Sequence, residues 1–423
     1  MKLTKEQQAI LDGSQGETMA KVLKTLVMYG DCFGAQKLVP ITSNLGHTVI
    51  SFGIGVMSPV YDLYDEILNA GLVSKQQFTA DPLPLDKNVP SNLLQDVVFK
   101  FMYKEQERYE KQLEKLGLSD AEAYTCTNYL PEVGNTPKKG DILSWAESSA
   151  VVYANSVIGA RCNRNSGIIE VMGSVAGLVP EFGFLTDEGR KADFVVEIQT
   201  SKKPEPQLLG SAIGMKVLDK VPYIKGLDKW IGTELNEDAI GYLKDFGAAT
   251  ASNGSVGLYH VENLTPEAVE FGDKLLKDKV ETYVITDEEL QRVQDNYPVI
   301  WKNPDAKAKL CFMGCPHMTL KQLNDNTDKV CQLLKDKGLQ KVVIPTVWTA
   351  SPGVIKEFKK TRKYWEMVNA GIILSYICPL MYMNNPLCKI MPVITSSNKL
   401  RTYTTARYYR EDQIFDMITG GDK

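Results

Sequence analysis

Apolar positions along this chain follow two rhythms. The first third keeps the 3.6-residue period of helices. Residues 17–29 form an amphipathic pattern that stops at Gly30, residues 92–116 form a longer one closed by Gly117, and Thr4 with Gln7 has capping-box spacing. The last third changes period. Short apolar runs, most of them β-branched, at 282–285, 310–313, 341–347, 372–377 and 390–394 alternate with helical patterns opened by Thr286 with Glu289, Thr319 with Gln322, and Pro352-Gly353. Strands separated by helices build βαβ units, so a parallel sheet covered on both faces is expected there. From Ser144 to Gly189 the chain is dense in small residues, which lets backbones approach closely around an enclosed site. The fold class is α/β. A helical, small-residue-rich part is expected over residues 1–263 and a parallel α/β part over 264–423.

An open parallel sheet binds ligands outside the carboxyl ends of its strands. There the sequence places Gly314-Cys315-Pro316-His317, Cys378-Pro379, and Thr395-Ser396-Ser397-Asn398-Lys399. A third thiol, Cys126, stands in the loop between Tyr124 and Tyr129. Soft sulfur ligands select iron–sulfur clusters or zinc, and a chain with only three histidines does not suit a His-rich zinc site. The competing reading is that these thiols fill space, as buried cysteines ordinarily do. Cys388 is available as an additional ligand, and Cys311 reads as core. A second dense segment gathers Glu147, Ser148, Ser149, Asn155, Arg161 and Arg164. It could hold a small anionic acid, because guanidinium matches carboxylate or phosphate in two-point contact. Ordinary polar solvation of a helix start is the alternative.

Composition narrows the choice. With 48 basic against 52 acidic residues the net charge is −4, so there is no basic field to gather nucleic acid or acidic lipid. No apolar run reaches the length of a membrane span. The polar start lacks a secretion signal, so a cytoplasmic location with eight reduced cysteines is expected. Phosphate-loop, HExxH and GxSxG motifs are absent, and GxGxxG is never complete, which removes support for nucleotide and serine-hydrolase chemistry.

The sequence resembles the aconitase X family, specifically its large, cluster-carrying part. The resemblance runs over nearly the whole chain. It is strongest from Tyr124 to Arg164, and clear again at Met313–Leu323, at Thr395–Tyr403 and in Gly30–Ile41. It implies an aconitase-like fold around a central cluster site and a hydro-lyase that removes water from a small hydroxylated acid. A 4Fe–4S cluster, or a smaller 3Fe–4S or 2Fe–2S form, would be held by Cys126, Cys315 and Cys378. Glu147 and Ser148 match catalytic-site positions, with Ser149, Ser397 and Lys399 as substrate contacts. Asp81-Pro82 falls in a substrate loop, and Arg161 and Arg164 would meet an anion.

Several positions depart from the family pattern. Asp81 stands where Asn is usual, and Tyr376 replaces an Asp two residues before Cys378. The substrate loop near Thr48-Val49-Ile50 lacks its serine, and Ser396 and Asn398 alter the final motif. The family's small swivelling domain, which carries the hydroxyl proposed as base, has no counterpart here, so a separate small subunit is the expected partner. The implied substrate resembles cis-3-hydroxy-L-proline. Mevalonate 5-phosphate is the alternative, as is a non-catalytic relative that binds a cluster or a small acid.

Overall fold

The structure is a computed structural model that describes residues 1–49, 53–120 and 122–421. Ile50, part of the divergent substrate loop, lies outside the described residues. The N-terminal part is helical, with two departures from the expected pattern. Helix Glu17–Cys32 continues past Gly30. That glycine serves packing rather than capping, since a Cβ there would lie 2.7 Å from the Cβ of Pro180. The long pattern at 92–116 is two helices, Leu93–Met102 and Gln106–Leu116. They break where Tyr103 turns inward and donates its hydroxyl to the Met381 carbonyl at 2.8 Å.

Two parallel sheets follow. The first has the strand order His260–Val261, Pro222–Lys225, Ala192–Ile198, Leu276–Ile285. The run at 282–285 belongs here, with Thr282 opposite Val195. The expected junction near residue 263 therefore falls inside this sheet, between two of its strands. The second sheet has the order Ile372–Ser375, Thr346–Ala350, Leu310–Met318, Val393–Thr395, Arg407–Tyr408. The run at 341–347 enters its strand only at Thr346, after Pro345, which has no N–H to give a ladder. Helix Glu237–Gly254 packs on Pro206–Val217, on Ser148–Tyr153 and on strand Leu310–Met318, so one buried core that includes Trp145, Phe246, Tyr259, Trp348 and Phe415 runs through both α/β units. No described helix is long and apolar enough to cross a membrane.

In the second sheet the chain steps one way from Leu310–Met318 through Thr346–Ala350 to Ile372–Ser375, then returns to the other side of the first strand as Val393–Thr395. The order reverses between those two neighbours, and such a switch point opens a crevice at the carboxyl ends of the strands. Cys315 and Lys399 stand on either side of it.

Candidate active site

The strand carrying Cys315 does not end at Met313. Met313 pairs with Trp348 and Met318 with Ala350, so Gly314 to His317 stand against the single residue Thr349 and bulge outward. Gly314 makes the bulge possible. Its φ is +96°, and a Cβ there would lie 2.4 Å from the Thr349 carbonyl oxygen. The Thr349 hydroxyl donates to the Gly314 carbonyl at 2.6 Å. The bulge carries Cys315 to the cavity wall.

The other two thiols arrive from separate places. Cys126 follows Thr125, whose N–H donates to the Ala80 carbonyl at 2.7 Å, so its loop is tied to the small sheet formed by Gly46–Thr48 and Phe78–Ala80. Cys378 opens helix Pro379–Met383, and its N–H donates to the Leu83 carbonyl at 2.9 Å. One imidazole joins all three loops. His317, two residues after Cys315, sets Nδ1 3.1 Å from the Thr125 hydroxyl and Nε2 3.2 Å from the Ile377 carbonyl, and its N–H faces the Cys126 Sγ at 3.4 Å. Burial pushes this ring down to about 4, so it is neutral near pH 7. A carbonyl only accepts, so Nε2 carries the proton and Nδ1 accepts from Thr125.

Glu147 is the N-cap of helix Ser148–Tyr153. Its Oε2 accepts the Ala150 N–H and the Ser149 hydroxyl, both at 2.6 Å, while Oε1 is paired with the Lys399 ammonium. Lys399 lies in helix Asn398–Tyr403, capped by Ser397. Burial works against both charges. The Lys399 charge nevertheless holds Glu147 below the usual carboxylate range, and Glu147 with the neighbouring thiols Cys315 and Cys126 holds Lys399 well above the usual ammonium range. The pair is ionised.

Cys126, Cys315 and Cys378 line one cavity of about 270 Å³ together with Asp81, Pro82, Glu147, Ser148, His317 and Lys399. Burial raises all three thiols above their ordinary range. Metal binding here must therefore release protons. No three described His, Cys, Asp or Glu side chains could hold a single metal ion. A polynuclear cluster makes no such demand, because its thiolates bind different irons, and three thiols at separate points of one buried wall are a donor set that fits it. Burial pushes Asp81 up to about 6, with His47 pulling the other way from 3.4 Å.

Five expected site residues fall outside the thiol cavity. Arg161 turns away from the cavity, pairing with Asp187 and donating to the Leu185 carbonyl at 3.0 Å. Ser397 caps its helix by accepting the Leu400 N–H at 3.1 Å and donates to the Cys315 carbonyl, so it fixes a thiol loop from behind. Ser149 stands behind Glu147, buried, and orients the carboxylate. Cys388 is buried away from the cavity and accepts from Gln95 Nε2 at 3.3 Å. Arg164 lines a neighbouring cavity of about 630 Å³ that shares Ala146 and Ser148 with the first. Sequence reasoning missed His47 and His317 as members of the site. The signal for His317 was its place in Gly-Cys-Pro-His, at a strand end beside a candidate ligand.

Comparison with known proteins shows the family. The profile of the aconitase X first domain matches residues 1–188, and that of the aconitase X second domain matches 192–295. A phosphomevalonate dehydratase large subunit from Thermococcus kodakarensis is 32% identical over 87% of this chain and 86% of its own length. Its namesake from Methanocaldococcus jannaschii is 33% identical over 99% and 98%. A cis-3-hydroxy-L-proline dehydratase from Hypocrea jecorina is 26% identical over 76% of this chain and 52% of its own. The crystal structure of Thermococcus kodakaraensis aconitase X in its holo-form superposes with a TM-score of 0.79 and 26% identity over the full length of both chains. The chain belongs to the aconitase X family and is a hydro-lyase.

Proposed function

We propose that this chain is the large subunit of a phosphomevalonate dehydratase and holds an iron–sulfur cluster on Cys126, Cys315 and Cys378. The observation that carries the reading is the convergence of three thiols and the ionised Glu147–Lys399 pair on one buried cavity. A bound cluster would supply Lewis-acid iron for a leaving hydroxyl. The chain's own groups bind and orient the acid. Lys399, fixed by Glu147 and Ser149 and balanced in charge by Glu147, presents a preorganised N–H donor to the substrate carboxylate. Ser148, half-buried at the wall shared by the two cavities, offers a hydroxyl. Pro379, Leu380 and Met381 line the apolar side and exclude water.

Two observations support phosphomevalonate over hydroxyproline. The relatives of that name match at 29–33% identity over 76–98% of their length, whereas the hydroxyproline dehydratases match at 24–26% over about half of theirs. The second cavity also sets a guanidinium, Arg164, beyond Ser148, where the phosphate of a longer substrate would reach. The proton is assigned to a small partner subunit, in keeping with relatives named large subunits. A serine base needs a cationic setting. Ser148 is the serine of the thiol cavity, whose lysine is already engaged by Glu147.

The test is anaerobic iron–sulfur reconstitution with and without the small subunit, followed by turnover assays on mevalonate 5-phosphate and cis-3-hydroxy-L-proline. Iron and sulfide uptake with partner-dependent loss of mevalonate 5-phosphate is the expected result. Failure to take up iron would overturn the cluster, exclusive turnover of hydroxyproline the substrate, and full activity of the lone chain the partner.

A further inference from the structure

Parallel pairing of Gly46–Thr48 with Phe78–Ala80 sets His47 opposite Thr79 and aims the imidazole at the cavity wall, next to Asp81. The His47 side chain is fully buried and that of Asp81 is 10% exposed. His47 Nε2 faces Asp81 Oδ1 at 3.4 Å, longer than a formed hydrogen bond, and both atoms are buried with no hydrogen-bond partner among the described residues. On its other side the ring is held firmly. Nδ1 lies 2.8 Å from the Thr79 hydroxyl, which accepts from Asn135 Nδ2 at 2.8 Å; the same amide nitrogen donates to the Gly46 carbonyl at 2.7 Å. Trp145 packs edge-on against the ring, with centroids 5.8 Å apart.

Hydrogen-bond directions follow from these partners. A carboxylate only accepts, so the nitrogen facing it must carry a proton. Nε2 is then the donor and Nδ1 accepts from Thr79. Asn135, Thr79 and His47 then form one directed chain that aims the Nε2 proton at a single carboxylate oxygen 3.4 Å away. We infer that His47 is a positioning residue that anchors Oδ1 of Asp81, leaving Oδ2 turned to the cavity as the acceptor for a substrate hydroxyl. This rests on reading the cavity as the dehydration site. It also gives a reason for the acid at position 81: a carboxylate has a second oxygen to offer after one is tethered. Burial leaves the Asp81 carboxyl at about 6, so it is mainly ionised and accepting near pH 7. Opposite it, the Lys399 ammonium takes the anionic end of the same substrate, so the two walls fix its orientation.

The experiment is a double-mutant cycle on the reconstituted two-subunit enzyme with mevalonate 5-phosphate as substrate. H47A and D81A should each lower kcat/KM about tenfold to a hundredfold, the loss expected for a hydrogen bond to a charged group. The H47A/D81A double variant should be no worse than D81A alone. H47Q, which keeps a donor near the Nε2 position, should recover most of the H47A loss. Multiplying losses in the double variant would overturn the proposal, as would H47Q matching H47A at unchanged melting temperature. Nitrogen NMR of the His47 ring supplies a readout independent of turnover. A protonated Nε2 and a bare accepting Nδ1 are expected in the wild type, and a proton on Nδ1 with a bare Nε2 overturns the pairing. If the enzyme turns over neither acid while the ring shows the expected tautomer, the functional reading fails and the pairing stands; the positioning role of His47 toward substrate then falls with the functional reading.

Discussion

Replacing Lys399 by methionine should do more than weaken anion binding. Its ammonium is the countercharge of Glu147, and the two side chains are 8% and 4% exposed. Removing one partner of a buried ion pair costs about 3–5 kcal/mol, because the other charge is left without compensation. Glu147 keeps the Ala150 N–H and the Ser149 hydroxyl, each at 2.6 Å, so about 3 kcal/mol is expected for Lys399→Met. The pH dependence has a definite sign. In the wild type Lys399 holds the Glu147 carboxyl low, so the pair stabilises the fold above the unfolded carboxylate range and loses that contribution as pH falls. In the variant only burial dominates, the carboxyl rises, and the cost of its charge shrinks as it takes up a proton. The gap between variant and wild type should therefore be widest near pH 7.5 and narrow towards pH 5. Guanidinium denaturation of the cluster-free, reduced chain followed by circular dichroism measures it. Glu147→Gln with Lys399→Met should be less destabilised than the sum of the two single variants, since the double variant leaves no stranded charge. A strictly additive double variant, or a Lys399→Met chain as stable as wild type at pH 7.5, would refute the argument.

Two further outcomes test the thiol loops. Gly314→Ala should lose about 1–3 kcal/mol from its left-handed backbone alone, and more from the Thr349 carbonyl 2.4 Å from the new Cβ; faster alkylation of Cys315 by a thiol reagent would report the opened bulge. His317, neutral with a depressed value of about 4, stabilises the fold fully above the unfolded histidine range and loses about 2 kcal/mol of that between pH 7 and pH 5. Glu205 and Asp81, pushed up to about 8 and about 6, pull the other way. The difference between wild type and His317→Gln therefore isolates the ring, and a variant with an unchanged pH slope would contradict its burial as the neutral form.

The thiols were legible because the chemistry of open sheets limits where a ligand set can stand. Cys315 and Cys378 follow short apolar runs, and the strand-end rule applies whatever the details of the bulge. Strand neighbours were not legible. The run at 282–285 is β-branched in any sheet, and only tertiary pairing with Ala192–Ile198 decides that it belongs to the first. Hydroxyls misled for a different reason. Ser149 and Ser397 carry the same group as a substrate contact, yet one orients Glu147 and the other caps a helix, and sequence gives no sign of which way a hydroxyl points. Arg161 lies three residues from Arg164 but turns to Asp187, because the segment is no longer helical there and neighbours in sequence face different ways. Both histidines escaped notice because their scarcity argued only against zinc. Scarcity does not stop a single imidazole from joining three loops.

The charges on the thiol cavity explain why a partner subunit fits this chain. Glu147 and Lys399 cancel, and Asp81 adds a partial negative charge near pH 7. Among the described residues that line the cavity, no cation is left unpaired. An acid bearing a carboxylate and a phosphate would enter such a space against its field, and desolvation in a closed site would make the opposition stronger. Arg164 lines the neighbouring cavity, which shares Ala146 and Ser148 with the first, and is not among the residues that line the thiol cavity. On the proposed reading, the compensating positive charge would come from groups this chain does not itself place in the cavity: a bound cluster and the small subunit. A partner that brings both a cation and a base would then control binding and proton removal together. The isolated chain would accordingly show weak substrate affinity as well as slow turnover. Binding of mevalonate 5-phosphate to the reconstituted chain, measured by calorimetry, should tighten at least tenfold, about 1.4 kcal/mol, when the small subunit is added. Equal affinity with and without it would remove the electrostatic reason for the partner.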